Sequence, residues 1–203
     1  GESVYWSNTL WRPFTLLNSL FPEMANRAGL MVYQYGRSIE GRELVAYWKP
    51  DASRGPVRPL VLVTCGFHPV EGDTLGAEAI FDWLCGDGRS ALDHVNLVVV
   101  PVANPDGFAH GHNGCNAAGV NFFWDFRRDD AEVCPEAYYL WELVRKMSPV
   151  VYLDFHAYSV QGPAKHAGPY TKSERLYTGR AAKSLARQLT GALSALANTR
   201  PKL

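Results

Sequence analysis

The sequence predicts an α/β fold, a mixed and mostly parallel central sheet with helices on both faces. Two observations carry that expectation. Continuous apolar runs, "PLVLV" at 59–63, "NLVVVP" at 96–101 and "PVVYLDF" at 149–155, have the character of strands buried on both sides. Between and beside them, "DTLGAEAIFDWLC" at 73–85 and "PEAYYLWELVRKM" at 135–147 repeat their apolar residues at helical spacing. Strand and helix in alternation read as strand–helix–strand units.

Each element follows from local chemistry. Leu30–Tyr35 and Glu43–Trp48 are β-rich runs joined by a Gly-containing turn, which predicts a hairpin. Pro50–Pro59 holds Gly55 and reads as a loop. Leu60–Cys65 is the first buried strand and Asn96–Pro101 its neighbour, with a helix over Asp73–Cys85 for which Asp73 or Thr74 is placed to cap. Pro135 suits the first turn of the helix Pro135–Met147, and Pro149–Phe155 is the next strand. The segment Lys172–Ala197 contains "RAAKSLARQLTGALSAL", rich in strong helix formers. The expectation is one domain over residues 1–203.

Composition excludes more than it suggests. The 203 residues are 47% hydrophobic and 20% charged, enough for a sizeable core, and 20 basic residues balance 20 acidic ones. Charge alone therefore points to neither a nucleic-acid nor a membrane partner. Cys65, Cys85, Cys115 and Cys134 form no CxxC pair, so reduced thiols are expected. Residues 1–20 lack a charged start followed by an apolar core, and no apolar run approaches the ~20 residues of a membrane span. A soluble, cytoplasmic protein is the expectation, although a leader removed before Gly1 would leave the same sequence.

The chemistry-bearing stretch is "TCGFHPVEGDT", from Thr64 to Thr74, where a buried strand gives out. It places His68 and Glu71 three residues apart, and imidazole nitrogen and carboxylate oxygen are both good zinc ligands. His156 follows the carboxyl end of the strand Pro149–Phe155, the same edge of the sheet, where ligand sites of open α/β folds form. Two short-range ligands and one distant histidine leave a fourth position open, as in a catalytic zinc site. Asp154, two residues before His156, is placed to hydrogen-bond a ligand imidazole. The bland reading of His-x-x-Glu is chance, and of "NFFWDF" plain core. His94, His110, His112 and His166 read as loop or surface histidines, with "HGH" at 110–112 an adventitious metal site at most.

These residues resemble those of the zinc metallocarboxypeptidases, the M14 family. The likeness rests on "GFHPVE" at 66–71, "NPDG" at 104–107, "AGVNFFWDF" at 118–126, "PEAYYLWELV" at 135–144 and "LDFHAY" at 153–158, in the family's order. It covers about residues 36–200, with "GRSIEGRELVAY" similar to the first hairpin. The short gap between "NPDG" and "AGV" is most similar to the cytosolic-carboxypeptidase branch. The resemblance implies a metallocarboxypeptidase-like fold, Zn2+ held by His68, Glu71 and His156, and hydrolysis of an amide bond in a small peptide or N-acyl amino acid-like substrate.

The departures alter the expected site. Where the family reads Gly-Val-Asp-Leu-Asn-Arg, this chain has Gly119, Val120, Asn121, Phe122, Phe123 and Trp124. Phe123 and Trp124 thus replace the pair that grips a substrate's terminal carboxylate, and Gly114 stands where the carbonyl-polarising arginine is implied. Asn121 takes the place of the aspartate that orients the first histidine ligand. Arg127 and Arg128 lie close enough in sequence to restore a charge, against a bland reading of "RRDD" as a solvated turn. Phe123, Trp124, Gly114 and Arg127 are accordingly the candidate substrate-binding residues.

The family's general base is a glutamate in a C-terminal segment beyond the helix after the third ligand. The sequence ends at Leu203 just after that helix, and no residue takes that role. A further segment or a second chain completing the fold is therefore expected. Two function classes follow: a zinc amide hydrolase of altered specificity, or a non-catalytic binding module on a peptidase fold.

Overall fold

The structure, a computed structural model, describes residues 12–49, 58–156 and 179–198. Most of the expected Pro50–Pro59 loop, residues 172–178 and His166 lie outside the described residues. The chain divides into two units, Gly1–Tyr158 and Ser159–Leu203.

The first unit is built on one five-stranded sheet. Its strands are β1 (Met31–Arg37), β2 (Glu43–Trp48), β3 (Leu60–Thr64), β4 (Asn96–Val100) and β5 (Val151–Asp154), in the order β1-β2-β4-β3-β5. The predicted hairpin forms, with β1 antiparallel to β2 and a register shift between Gln34 and Gly36. The sheet is mixed: β3 pairs in parallel with β4 and β5, whereas β2 joins β4 antiparallel. Parallel pairing is thus confined to the three apolar runs that predicted it, because the hairpin enters the sheet through an antiparallel contact.

Alternate residues of these strands feed two cores. Val63, Leu97, Val99 and Tyr47 point to one face, with α1 (Phe14–Ala28) and α2 (Thr74–Cys85). Leu62, Val98, Val100 and Ala46 point to the other, with Ala137, Leu140 and Leu143 of α4 (Pro135–Met147). This is the period-two arrangement of a doubly covered sheet. A short α3 (Pro105–His110) starts at Asn104, whose side chain accepts from Gly107 N.

The helix α1 adds to the expected elements. Pro22 inside it removes a backbone donor, yet the stripe Leu17, Phe21, Met24, Ala25 and Ala28 is buried and offsets that loss. The edges Phe21–Phe81 and Tyr47–Phe81, at 5.8 and 5.6 Å between ring centroids, lock α1, α2 and β2 together. All four cysteines are free.

The expected cap of α2 is different. Asp73 precedes the helix in α conformation and makes no cap bond. Its carboxylate turns back instead to the loop carrying His68, where two backbone donors compete successfully for it.

The second unit is described through α5 (Arg180–Asn198), the expected tail helix, in which Ala186 is buried. No helix among the described residues is long and apolar enough to cross a membrane.

Candidate metal centre

The site is assembled from loops at the carboxyl ends of β3, β4 and β5. After β3, Cys65 N donates to Val100 O at 2.8 Å, and the chain turns at Gly66 with φ +73°. A Cβ there would lie 2.7 Å from Pro101 O and Val102 Cα, so glycine lets the two strand ends approach. Asp73 Oδ2 accepts from Gly66 N and Phe67 N at 2.9 and 3.1 Å, clamping the same turn. A one-turn 3-10 helix over Pro69–Glu71 then brings Glu71 back beside His68.

The loop after β4 is tied to this one by Asn104. Its Nδ2 donates to Phe67 O and to Cys115 O, both at 3.1 Å, while its Oδ1 caps α3. Further on, Asn116 Oδ1 accepts from Ala118 N and Val120 N, and Asn116 Nδ2 donates to Glu136 Oε2 at 2.9 Å. That turn delivers Asn121. After β5, Phe155 N donates to Thr64 O at 2.9 Å, which carries His156 to the same edge.

His68, Glu71 and His156 meet there, one ligand atom of each within 4.8 Å of the others. His68 Nδ1 stands 2.9 Å from Glu71 Oε1 and His156 Nε2 stands 3.3 Å from Glu71 Oε2. Such separations suit donors around an ion with bonds of ~2.0–2.2 Å. His68 is only 5% exposed, and Glu71 Oε2 is buried without a hydrogen-bond partner.

Asn121 Oδ1 lies 3.1 Å from His68 Nε2. An amide oxygen only accepts, so Nε2 carries the proton and a neutral ring turns its Nδ1 lone pair toward a carboxylate oxygen. Two lone pairs at that distance repel unless a second proton or a cation sits between them. Burial is the main cause that lowers the His156 pKa to about 4, leaving its imidazole neutral and able to ligate near pH 7. These donors fit a zinc ion.

The other candidates part company. Gly114 lies against the first ligand: a Cβ on it would be 2.6 Å from His68 Cδ2, and its φ is +86°. Phe123 stacks on His156, centroids 3.9 Å apart at 18°, and meets His68 edge-on at 5.6 Å. Trp124 adjoins Phe123 at 5.2 Å but is 72% exposed. Arg127 does not join the ligands; its guanidinium pairs with Asp125 at 2.7 Å because that carboxylate is two residues away on the same turn. Arg128 stacks over Trp141 and pairs with Asp129.

Asp154 does not make the expected bond to its neighbour. Its Oδ2 is 3.8 Å from His156 Nδ1, beyond hydrogen-bond range, and its Oδ1 accepts from Thr64 Oγ1 at 3.3 Å. Burial raises its pKa to about 6. Of "HGH", His110 pairs with Glu40 at 2.7 Å and stacks on His112, and no second group of metal ligands occurs among the described residues. Asp73 and Asn104 are the supports that local patterns conceal. The only sequence signal for Asn104 is its place at the head of "NPDG".

A mixed α/β sheet with a His/Glu/His group at adjacent strand ends defines the metallocarboxypeptidase class of fold. Residues 19–201 match the family model described as zinc carboxypeptidase, peptidase M14, and the chain belongs to that family. Over 114 residues it is 31% identical to the inactive metallocarboxypeptidase ECM14 of Saccharomyces cerevisiae, covering 51% of this chain and 25% of that one. Over 111 residues it is 25% identical to cytosolic carboxypeptidase 1 of Xenopus laevis, 50% of this chain and 9% of the other. The crystal structure of a metallo-carboxypeptidase from Burkholderia cenocepacia superposes with a TM-score of 0.60 at 26% identity, over 68% of this chain and 39% of that one. Thrombin activatable fibrinolysis inhibitor shares the fold, TM-score 0.65 at 15% identity over 94% and 57%. The chain thus spans a quarter or less of these two curated relatives.

Proposed function

We propose that the chain holds one zinc ion between His68, Glu71 and His156 and serves hydrolysis of an amide bond in a small peptide or N-acyl amino acid-like substrate whose end is apolar or amidated. The observation that supports the specificity is what stands at the positions where the resemblance implies cations or carboxylate donors. Gly114 replaces one implied arginine, Phe123 and Trp124 stand where carboxylate donors are implied, and Arg127 and Arg128 are engaged elsewhere. Burying a carboxylate without such partners costs several kcal/mol, on the order of an unpaired polar or charged group.

When bound, zinc would supply a Lewis acid for a carbonyl and acidify water. The protein's own residues set the rest. Asn121 holds the tautomer of His68, the partly buried Glu71 offers its carboxylate oxygens, and Phe123 with Trp124 offers an aromatic wall. No described residue is assigned the general base.

The second reading, a binding module that retains its metal, is favoured by the likeness to a relative named inactive. Competition binding and turnover on the zinc-loaded protein, using a peptide acid and its C-terminal amide, separate the readings. We expect the amide to bind better. Amide binding without turnover, even in a chain extended beyond Leu203, supports the binding module, and a clear preference for the acid overturns the proposed specificity.

A further inference from the structure

His156 lies two residues past β5, just beyond the Phe155 N to Thr64 O bond. Its ring is in face-to-face contact with Phe123, centroids 3.9 Å apart and planes within 18°. The same phenyl ring meets His68 at 73°, and the two imidazoles are 4.5 Å apart.

The phenyl ring is itself well anchored. Phe122, next to it, is fully buried and packs on Phe67 at 5.1 Å, and Phe67 also meets the Phe123 ring edge-on at 6.1 Å. Trp124 N and Asp125 N both donate to Asn121 O, closing the turn. A ring held in this way fixes the plane of an imidazole stacked on it. The imidazole can slide, but turning about its Cβ–Cγ bond drives its edge into the phenyl face. That restriction keeps Nε2 directed at Glu71, 3.3 Å away.

We propose, on the reading that His68, Glu71 and His156 bind zinc, that Phe123 is a positioning residue that holds the His156 imidazole in its ligating orientation. One turn then serves both histidines by different physics. Asn121 fixes His68 with a hydrogen bond, and Phe123 fixes His156 by stacking. The position at which the resemblance implies a substrate contact thus also supports the metal centre, and the exposed Trp124 extends the wall toward a substrate.

The test is zinc affinity of the full chain, measured by competition with a chromophoric chelator, with the visible spectrum of the cobalt(II)-substituted protein as a probe of coordination. Phe123→Leu keeps apolar volume and removes the ring face, and Phe123→Met serves if that variant does not fold. We expect zinc binding about 10-fold weaker or more, the range for lost ligand supports, with a changed cobalt spectrum. Phe123→Tyr and Trp124→Ala should stay close to the parent in both. An unchanged affinity and spectrum in Phe123→Leu overturns the proposal. So does an equal loss in Phe123→Tyr or Trp124→Ala, which would assign the effect to the turn and not to the ring. Failure of the parent chain to bind zinc would instead overturn the zinc reading on which it rests.

Discussion

The side-chain oxygen of Asn121 lies 3.1 Å from His68 Nε2, and this contact decides which nitrogen of His68 faces Glu71. With the proton held on Nε2, Nδ1 presents its lone pair 2.9 Å from Glu71 Oε1, where a cation fits. Asn121→Leu removes the acceptor and should weaken zinc binding by about 10–100-fold. Asn121→Asp supplies a charged acceptor and should bind at least as tightly as the parent. Chelator competition on both variants checks this, and equal affinities in Leu and parent would contradict it.

Gly114 is required by both space and backbone. Its φ of +86° disfavours any side chain, and a Cβ would meet His68 Cδ2 at 2.6 Å and Asn121 Nδ2 at 2.9 Å. Gly114→Ala should lose about 1–2 kcal/mol from the left-handed backbone alone, read by urea unfolding, and weaken zinc binding as His68 is displaced. For the same reason Gly114→Arg should not create a preference for peptide acids. An arginine variant that folds normally and gains that preference would show that the loop yields.

Asp73 sets a pH dependence with a defined sign. Burial chiefly, with Glu71 adding to it, raises its carboxyl from 3.8 to about 7 in the metal-free protein. Between those values the native state keeps a proton that the unfolded chain has released. This group's contribution is therefore full below 3.8 and declines as pH rises to about 7. His156 works in the opposite sense, since its depressed pKa makes its contribution full above 6.5 and lost as pH falls toward about 4. Comparing the parent with Asp73→Asn cancels the His156 effect. Urea unfolding in chelator at several pH values should show the parent losing ground to Asp73→Asn from about pH 4 to about 7. A parent that gains ground through that window would be inconsistent with a buried, protonated Asp73.

Asn104 is fully buried and joins the His68 loop to the Gly114 loop through two donated bonds. Asn104→Ala leaves Phe67 O, Cys115 O and Gly107 N without that partner and should cost roughly 2–4 kcal/mol. Thermal and urea unfolding measure it. A loss under about 0.5 kcal/mol, the size of an ordinary surface change, would mean that the loops do not depend on the bridge.

Much of the scaffold was legible because burial writes itself into composition. Runs such as Asn96–Val100, and the helical spacing of Pro135–Met147, report directly on what must leave water. His68, Glu71 and His156 could be read as a set because strand ends predict where side chains gather. Other features were not legible for physical reasons. Asp73 looked like a helix cap because its local pattern is that of a cap, whereas its bonds run to a loop six and seven residues back. Asp154 and Arg127 depended on side-chain direction, which sequence spacing leaves open. The helix α1 does carry a local signal, Leu17, Phe21, Met24, Ala25 and Ala28 at helical spacing with Gly29 closing it, but Pro22 inside that run is itself a helix-breaking signal.

Whether His68, Glu71 and His156 together hold a single metal is read by elemental analysis of protein purified without added metal. The parent should carry one equivalent of zinc per chain, and a folded His68→Ala, His156→Ala double variant almost none. Zinc retained at the parental level in that double variant would contradict this assignment.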